Sequence, residues 1–296
     1  MKFISIFTIA LILSVSSCLG MAANNVKADL KGILINEETT AEGITTARFY
    51  KQTDHGKLQI HFLFPENYDS QREKPYTALV YYHGGGWVGG EMAWSHKDAG
   101  YMATLGLIGV AVQYSFANNS TSVLQAMKDA NSSIRWVRSH AEEFNIDPNK
   151  IIAMGGSSGA HLALCTAFFP QFRESSEDET ISSIPNGIIV IAAPVNVVDH
   201  SFFSYLLLNQ EKAINCSPYH HIQSGMPPVF MIHSKMDEMV PFRHTEDFVN
   251  QMKKAGNQIE LYISPGTTHV GTFDDPDANL FWQESCAQAV EELNWN

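Results

Sequence analysis

Short apolar runs alternate with helical patterns along most of this chain, and that alternation narrows the folds it can adopt. Strands that are buried on both faces read as nearly continuous apolar runs, as in a parallel sheet covered by helices. Runs of this kind occur at residues 76–83, 107–114, 150–156, 186–194, 227–234 and 258–264. A further run, residues 57–65, alternates apolar and polar residues like a half-buried strand.

Helical patterns fill the intervals between these runs. They cover residues 92–106, 121–147, 158–169, 242–256 and 279–295. In the second, Thr121 or Ser122 can cap the N-terminus and Pro148 stops the helix. The whole pattern predicts an α/β fold with a mostly parallel sheet of about eight strands, whose ligands bind at the carboxyl ends of the strands. Since no linker rich in proline, glycine or serine divides it, residues 26–296 are predicted to form one domain.

The first 25 residues have a different character. Lys2 precedes an apolar stretch, residues 3–15, which is shorter than the roughly 20 residues of a spanning helix and predicts a secretory signal peptide. The sequence "VSSC" at residues 15–18 also resembles a bacterial lipobox, in which Cys18 would carry a lipid anchor, and ordinary cleavage near residues 20–25 is the alternative. Either way we expect an exported protein that is periplasmic, secreted or lipid-anchored, with no membrane contact apart from Cys18.

Charge and cysteine content exclude several kinds of partner. The formal net charge of -12 argues against binding to nucleic acid or to an anionic membrane surface. Apart from Cys18 there are Cys165, Cys216 and Cys286, so at most one disulfide can form. Neither a C-x-x-C pair nor an H-E-x-x-H motif occurs, and the sequence gives no support for a metal or a cofactor. It does not indicate the oligomeric state.

A G-x-S-x-G motif follows the run at residues 150–156. Ser157 stands at its centre in "GGSSG", after a predicted strand and before a predicted helix, which is the context of a nucleophile elbow. A serine on such a sharp turn needs small neighbours, and the helix behind it directs its amide dipoles toward a developing anion. Ser157 is therefore the candidate nucleophile.

The segment "HGGGWVGG" follows the run at residues 76–83. Glycines let backbone N–H groups approach a substrate without side-chain obstruction, as the oxyanion hole of an acyl-transfer enzyme requires. Gly85 and Gly86 are predicted to donate from this segment, with the N–H of Ser158 as a third donor. His83 is expected to orient the loop by hydrogen bonding, and Trp87 is either a core residue or a wall that contacts substrate.

Two later turns can supply the acid and the base. Asp237 follows the run at residues 227–234 and His269 follows the run at 258–264, giving the order serine, aspartate, histidine. In the predicted roles His269 accepts the proton of Ser157, and Asp237 fixes the imidazole tautomer and stabilises its charged form. Glu238 and Asp199 are weaker candidates for the acid.

These motifs together resemble the α/β-hydrolase superfamily, specifically esterases related to hormone-sensitive lipase and to bacterial carbohydrate acetyl and feruloyl esterases. The resemblance rests on the four segments "YYHGGGWVGG", "DANSSIRWVRSHAEEFNIDPNKIIAMGGSSGAHLA", "MPPVFMIHSKMDEMVP" and "THVGTF". It implies hydrolysis of esters without a metal, through an acyl-serine intermediate. Relatives usually carry arginine where this chain has Ser115, a difference that concerns the packing of that loop and not the mechanism.

The sequence thus predicts a serine carboxylesterase that acts on short-chain acyl esters, such as acetyl or feruloyl groups on polysaccharides. The substrate would be a small molecule or a polysaccharide-linked ester. A serine peptidase or amidase of the same fold is the alternative, because it uses the same triad. A non-catalytic binder on this scaffold is disfavoured by the complete set of triad residues.

Overall fold

A computed structural model describes residues 46–208, 213–269 and 274–293. The predicted leader and Cys18 lie outside the described residues. The described residues form eight strands: β1 (Thr46–Thr53), β2 (Gly56–Leu63), β3 (Tyr76–Tyr82), β4 (Ile108–Val112), β5 (Ile146–Gly156), β6 (Gly187–Ile191), β7 (Val229–Ser234) and β8 (Ile259–Ser264). The α-helices are α1 (Ala93–Thr104), α2 (Val123–Ser139), α3 (Ser158–Phe168), α4 (Ser201–Leu206), α5 (Phe242–Lys254) and α6 (Pro276–Glu292).

All eight strands form one sheet in the order β1-β2-β4-β3-β5-β6-β7-β8. Strands β3 to β8 are parallel to one another, whereas β2 pairs antiparallel with both β1 and β4. The predicted α/β fold with a mostly parallel sheet of about eight strands is confirmed. The edge strand β1 is absent from the sequence prediction because its sequence, TARFYKQT, is polar and only half-buried.

Helices cover both faces of the sheet. Because side chains alternate between the two faces along each strand, they pack into two hydrophobic cores. In β3, Ala78, Val80 and Tyr82 point to the larger core beneath α2, α3 and α5. Leu79 and Tyr81 point to the second core, which α1 and α6 cover. Every residue of α3 is buried. The helix that begins beside the candidate nucleophile is therefore held rigidly against the sheet.

Helix α2 ends earlier than the sequence pattern predicts. Ser122 caps its N-terminus by accepting from the N–H of Leu124, but the helix stops at Ser139 rather than before Pro148. Asn145 has a positive φ of 50° and Ile146 already pairs with Tyr76, so β5 starts four residues before the predicted run. The register shift between Tyr76 and Ala78 accommodates the proline within this strand.

Cys165, Cys216 and Cys286 are buried thiols. Burial raises the pKa of Cys165 and of Cys286 well above the ordinary thiol value. Within the part of the chain that the structure describes, none of the helices is both long enough and apolar enough to cross a bilayer.

Candidate active site

The candidate nucleophile sits at the sharp turn between β5 and α3. Ser157 has φ 53° and ψ -122°, a strained backbone conformation for a residue with a side chain. Its N–H donates to the carbonyl of Ile191 on the neighbouring strand at 2.9 Å. Behind it, a Cβ on Gly159 would lie 2.0 Å from the carbonyl oxygen of Tyr82, so only glycine lets the helix approach the sheet here. The predicted elbow is formed.

The structure brings the three predicted triad side chains together. Ser157 Oγ lies 2.9 Å from His269 Nε2, and His269 Nδ1 lies 2.7 Å from Asp237 Oδ2. Asp237 follows β7 and His269 follows β8, and these strands are parallel neighbours whose carboxyl ends meet at one edge of the sheet. The expected convergence of the hydroxyl, imidazole and carboxylate is therefore present in hydrogen-bonding geometry.

Asp237 is held in its charged form. Burial raises its pKa, but hydrogen bonds from His233 and His269, the charge of His269 and the N–H of Val240 together outweigh burial, and the pKa lies far below the ordinary value. Its second oxygen, Oδ1, accepts from the N–H groups of Met239 and Val240 at 2.9 and 2.7 Å. A carboxylate with all these donors stays ionised and can stabilise an imidazolium.

Several polar groups around the triad were not predicted from the sequence. Ser234 Oγ accepts from the N–H of Met236 and from the N–H of Thr267, both at 3.1 Å, which joins the acid-bearing loop to the histidine-bearing loop. Glu238, a weaker candidate for the acid, instead accepts from the backbone N–H of His269 at 2.9 Å. The only sequence signal for such groups is that they are polar residues at the carboxyl ends of two adjacent apolar runs.

The glycine segment lies directly against the elbow. A Cβ on Gly84 would be 3.4 Å from Ser157 Cβ, which puts the following residues beside the nucleophile. Gly85 has φ 125° and a Cβ there would lie 2.0 Å from the carbonyl oxygen of Gly89, so the turn requires glycine. No described backbone carbonyl accepts from the N–H of Gly85 or of Gly86. These amides remain available for an external oxygen, as does the N–H of Ser158 in the first turn of α3.

The buried side chains of His83 and Trp87 hold this glycine segment in place. His83 is buried, its Nδ1 donates to the carbonyl of Gly84 at 2.6 Å, and Tyr114 stacks on its ring and donates to its carbonyl. Burial lowers the pKa of His83 to about 4, so this histidine is neutral. Trp87 is only 2% exposed and packs edge-on against His161 and Phe203, which places it in the core rather than in a wall open to substrate.

Phe202 is the side chain that the structure places over the glycine segment. It lies on α4, and its Cε1 is 3.6 Å from the position that a Cβ on Gly86 would occupy. The sequence could not indicate this contact because α4 belongs to the long segment after β6. Phe202 therefore bounds the space beside the predicted oxyanion donors.

The other candidates named from the sequence lie elsewhere. The carboxylate of Asp199 is mostly exposed, and its Oδ2 lies 3.9 Å from His244 Nε2. Among residues 46–208, 213–269 and 274–293, histidine, cysteine and acidic side chains do not gather into a group of three that could hold a metal ion.

The packing around Ser115 is also resolved. Asp129 Oδ2 accepts from the N–H of Ser115 at 2.8 Å, while Asp129 Oδ1 pairs with Lys51 Nζ at 2.7 Å. The cation that faces Asp129 thus comes from the edge strand β1. Glu174 also pairs with Lys51, so the acidic segment at residues 174–180 is partly bound to the protein.

Fold and site together define an α/β-hydrolase with a serine–histidine–aspartate triad. The sequence model of the BD-FAE family matches residues 67–252, more than half of the chain, and the chain belongs to that family. It is 28% identical over 263 residues to a probable isoprenylcysteine alpha-carbonyl methylesterase of Arabidopsis thaliana, covering 81% of this chain and 52% of that protein. It is 27% identical to a probable carboxylic ester hydrolase of Mycobacterium tuberculosis, covering 63% and 47%. The chain spans about half the length of these relatives.

Solved structures give the same class. Esterase 2 of Thermogutta terrifontis, phosphoramylated by tabun, matches with a TM-score of 0.77 and 34% identity, over 85% of this chain and 94% of that one. The propionate-bound form of that esterase matches with a TM-score of 0.77 and 33% identity, over 85% and 93%. The predicted resemblance to esterases of the α/β-hydrolase superfamily is confirmed.

Proposed function

We propose that this protein is a serine carboxylesterase that hydrolyses short-chain acyl esters through an acyl-serine intermediate. The observation that carries the proposal is the continuous hydrogen bonding from Ser157 through His269 to Asp237, next to the amides of Gly85 and Gly86, from which no described backbone carbonyl accepts. A nucleophile, a base with its orienting carboxylate and preorganised N–H donors are the parts that acyl transfer requires.

In the first half-reaction His269 Nε2 takes the proton of Ser157 as Oγ attacks the ester carbonyl. The carbonyl oxygen becomes negative and is stabilised by the N–H groups of Gly85, Gly86 and Ser158. His269 then gives its proton to the departing alcohol, and the acyl group remains on Ser157. In the second half-reaction His269 takes a proton from water as the water oxygen attacks the acyl carbon. His269 then gives that proton to Ser157 Oγ as the bond between the acyl carbon and Oγ breaks, which releases the carboxylic acid and restores the free serine.

Two observations support a short acyl group. Phe202 stands close to Gly86, and this limits the room on that side of the reacting carbonyl. The related Thermogutta esterase has been solved with propionate and with butyrate bound. Acetyl or feruloyl groups on a polysaccharide are the proposed natural esters, with the polysaccharide extending away from the pocket into solvent.

The experiment is a hydrolysis panel of p-nitrophenyl acetate, propionate, butyrate and octanoate, with acetylated xylan, methyl ferulate and an aminoacyl-p-nitroanilide. We expect turnover of the short esters and no cleavage of the anilide. Faster cleavage of the anilide would instead favour a peptidase or amidase. A fluorophosphonate probe should label Ser157, read by mass spectrometry of the peptide. A folded protein that neither turns over any ester nor reacts with the probe would contradict the proposal.

We also propose that the protein is exported and acts outside the cytoplasm, on the grounds of the leader-like residues 1–25 and the lipobox-like position of Cys18. Intact-mass analysis of the protein from a bacterial host tests both routes. A lipidated N-terminal Cys18 indicates an anchored form, and a free N-terminus near residues 20–25 indicates a secreted or periplasmic form. An unprocessed chain confined to the cytoplasm would contradict export.

A further inference from the structure

A second histidine contacts the acid of the triad from the buried side. His233 is the fifth residue of β7, four positions before Asp237, and its side chain is completely buried. Its Nε2 lies 3.1 Å from Asp237 Oδ2, the same oxygen that faces His269 Nδ1 at 2.7 Å. On its other side, His233 Nδ1 lies 2.7 Å from the hydroxyl of Thr245 in α5, which is also buried.

The direction of each hydrogen bond follows from chemistry. An ionised carboxylate only accepts hydrogen bonds, so His233 Nε2 must carry a hydrogen and donate to Asp237. In neutral His233 the other ring nitrogen is then an acceptor, and the hydroxyl of Thr245 donates to it. Thr245 thereby selects the tautomer of His233 that can hold the acid. With both ring nitrogens satisfied, the imidazole can remain buried at little cost.

We infer that His233, oriented by Thr245, is a positioning residue for Asp237 and acts on catalysis through the shared oxygen Oδ2. The inference rests on the proposed function, since it assigns His233 a part in the same reaction. His233 does not reach Ser157 or a bound ester. Its effect is to fix the rotation of the carboxylate and to divide the negative charge of Oδ2 between two imidazoles.

Few other charged groups face this arrangement in the described residues. Glu238 accepts from the backbone N–H of His269, on the solvent side of the acid. Phe242, at the start of α5, packs edge-on against His233 with ring centroids 5.6 Å apart, and Lys235 Nζ lies 5.8 Å from the centre of that phenyl ring. Asp237 is the charged group that His233 contacts directly.

The shared oxygen predicts how catalysis changes when His233 can no longer donate. Asp237 would keep its two backbone donors and its charge, but more of that charge would act on His269. The imidazolium form of His269 would become more stable, and the acidic limb of the pH–rate profile would move to higher pH. Looser positioning of the carboxylate would lower kcat, whereas ester binding, and with it KM, would change little.

The test compares His233→Gln with His233→Met. Both replacements have a similar length, but only the glutamine amide can donate to Asp237. For His233→Met we expect kcat on p-nitrophenyl acetate to fall about 10- to 100-fold, by analogy with the loss found when the outer partners of metal-bound histidines are removed. KM should stay within about threefold of wild type, and the acidic limb should shift upward. His233→Gln should recover most of kcat and the wild-type profile.

A second pair of variants, at Thr245, tests the same series of hydrogen bonds without altering the buried imidazole of His233. Thr245→Val removes the hydroxyl that donates to His233, and Thr245→Ser keeps it. We expect Thr245→Val to lower kcat and to shift the acidic limb in the same direction as His233→Met, by a smaller amount, while Thr245→Ser behaves like wild type. Thermal unfolding of each variant shows whether the compared proteins are equally folded at the assay temperature.

The inference is overturned if kcat and the pH profile of His233→Met match those of wild type, or if His233→Gln and His233→Met lose the same activity while both Thr245 variants behave like wild type. Those results concern only His233. If the wild-type enzyme itself turns over no ester and Ser157 does not react with a fluorophosphonate, the proposed function fails instead, so the two failures are distinguishable.

Discussion

Ser157 Oγ and His269 Nε2 lie 2.9 Å apart although 112 positions separate them in the sequence. The serine is held by the turn between β5 and α3, and the histidine by the loop after β8. Their contact therefore depends on the four neighbouring strands β5, β6, β7 and β8. The distance is short enough for direct proton transfer. The geometry of the base is therefore set by strand order rather than by any local motif.

Ser157→Ala should abolish ester turnover while leaving the fold intact. Loss of the nucleophile in a serine hydrolase can lower kcat by about 10⁶, and the variant should also fail to react with a fluorophosphonate. The measurement is kcat on p-nitrophenyl acetate, with circular dichroism to compare folding. The exposed Ser70 in the loop between β2 and β3 provides the control, and Ser70→Ala should retain wild-type turnover. Residual activity near wild type in Ser157→Ala would move the nucleophile to another residue.

Gly85→Ala should damage the oxyanion site specifically. The backbone has φ 125° and the new methyl group would lie 2.0 Å from the carbonyl of Gly89, so the loop must shift and displace its N–H donors. Loss of one such donor costs about 10² to 10³ in kcat. Gly89→Ala is the matched control, because its Cβ would meet no atom within 4 Å. Equal activities of the two variants would argue against Gly85 as a donor.

The elbow, the positions of the triad residues and most of the sheet could be predicted from the sequence because a local pattern marks each of them, whereas the convergence of the triad follows from the parallel order of the strands. A run rich in apolar residues ends before each triad loop, and parallel strands bring their loops to one edge, although β8 itself is only partly buried. The strand β1 was missed because an edge strand need not be apolar, and Lys51 within it pairs with Asp129 across the molecule. His233 was missed because a histidine inside a buried run gives no sign of its partners. Contacts of this kind arise only from tertiary packing.

Phe202→Ala should widen the range of acyl groups that the enzyme accepts. The ring lies 3.6 Å from the Cβ position of Gly86, so its removal opens space beside the reacting carbonyl. We expect the ratio of kcat/KM for p-nitrophenyl octanoate to that for acetate to rise about tenfold, equivalent to about 1.4 kcal/mol. Tyr205→Ala, on the same helix at a residue that is 65% exposed, should leave the ratio unchanged. An unchanged ratio in Phe202→Ala would show that the acyl chain binds elsewhere.

Stability should fall as the pH is lowered from 6.5 toward 4. Burial lowers the pKa of His61 and of His96 from 6.5 to about 4, and the charge of His61 adds to the effect on His96. In this window the unfolded chain binds protons that the folded protein does not, so the neutral rings stabilise the fold above pH 6.5 and that stabilisation is lost as the pH falls through 4.

The measurement for this pair is the free energy of unfolding in urea at several pH values. Replacing one titrating ring, as in His96→Gln, should reduce the slope of that free energy against pH by about 1 kcal/mol per pH unit near pH 5. His61→Gln should also reduce this slope, because burial lowers the pKa of His61 as well. The two rings are in contact, with His61 Nδ1 3.1 Å from His96 Nε2. Slopes equal to wild type in both variants would contradict the assignment.

Lys51→Met should destabilise the protein strongly without changing the chemistry. Lys51 is 7% exposed and Asp129 is fully buried, and their 2.7 Å ion pair supplies the cation that faces the carboxylate beneath Ser115. Removal of one partner of a buried pair leaves an uncompensated charge and costs about 3–5 kcal/mol. The free energy of unfolding in urea measures this loss, and kcat well below the unfolding temperature should be unaffected. Lys51→Met combined with Asp129→Asn should recover part of the stability, because the double variant no longer buries an unpaired charge. A double variant that is less stable than Lys51→Met would show that the two residues are not coupled in this way.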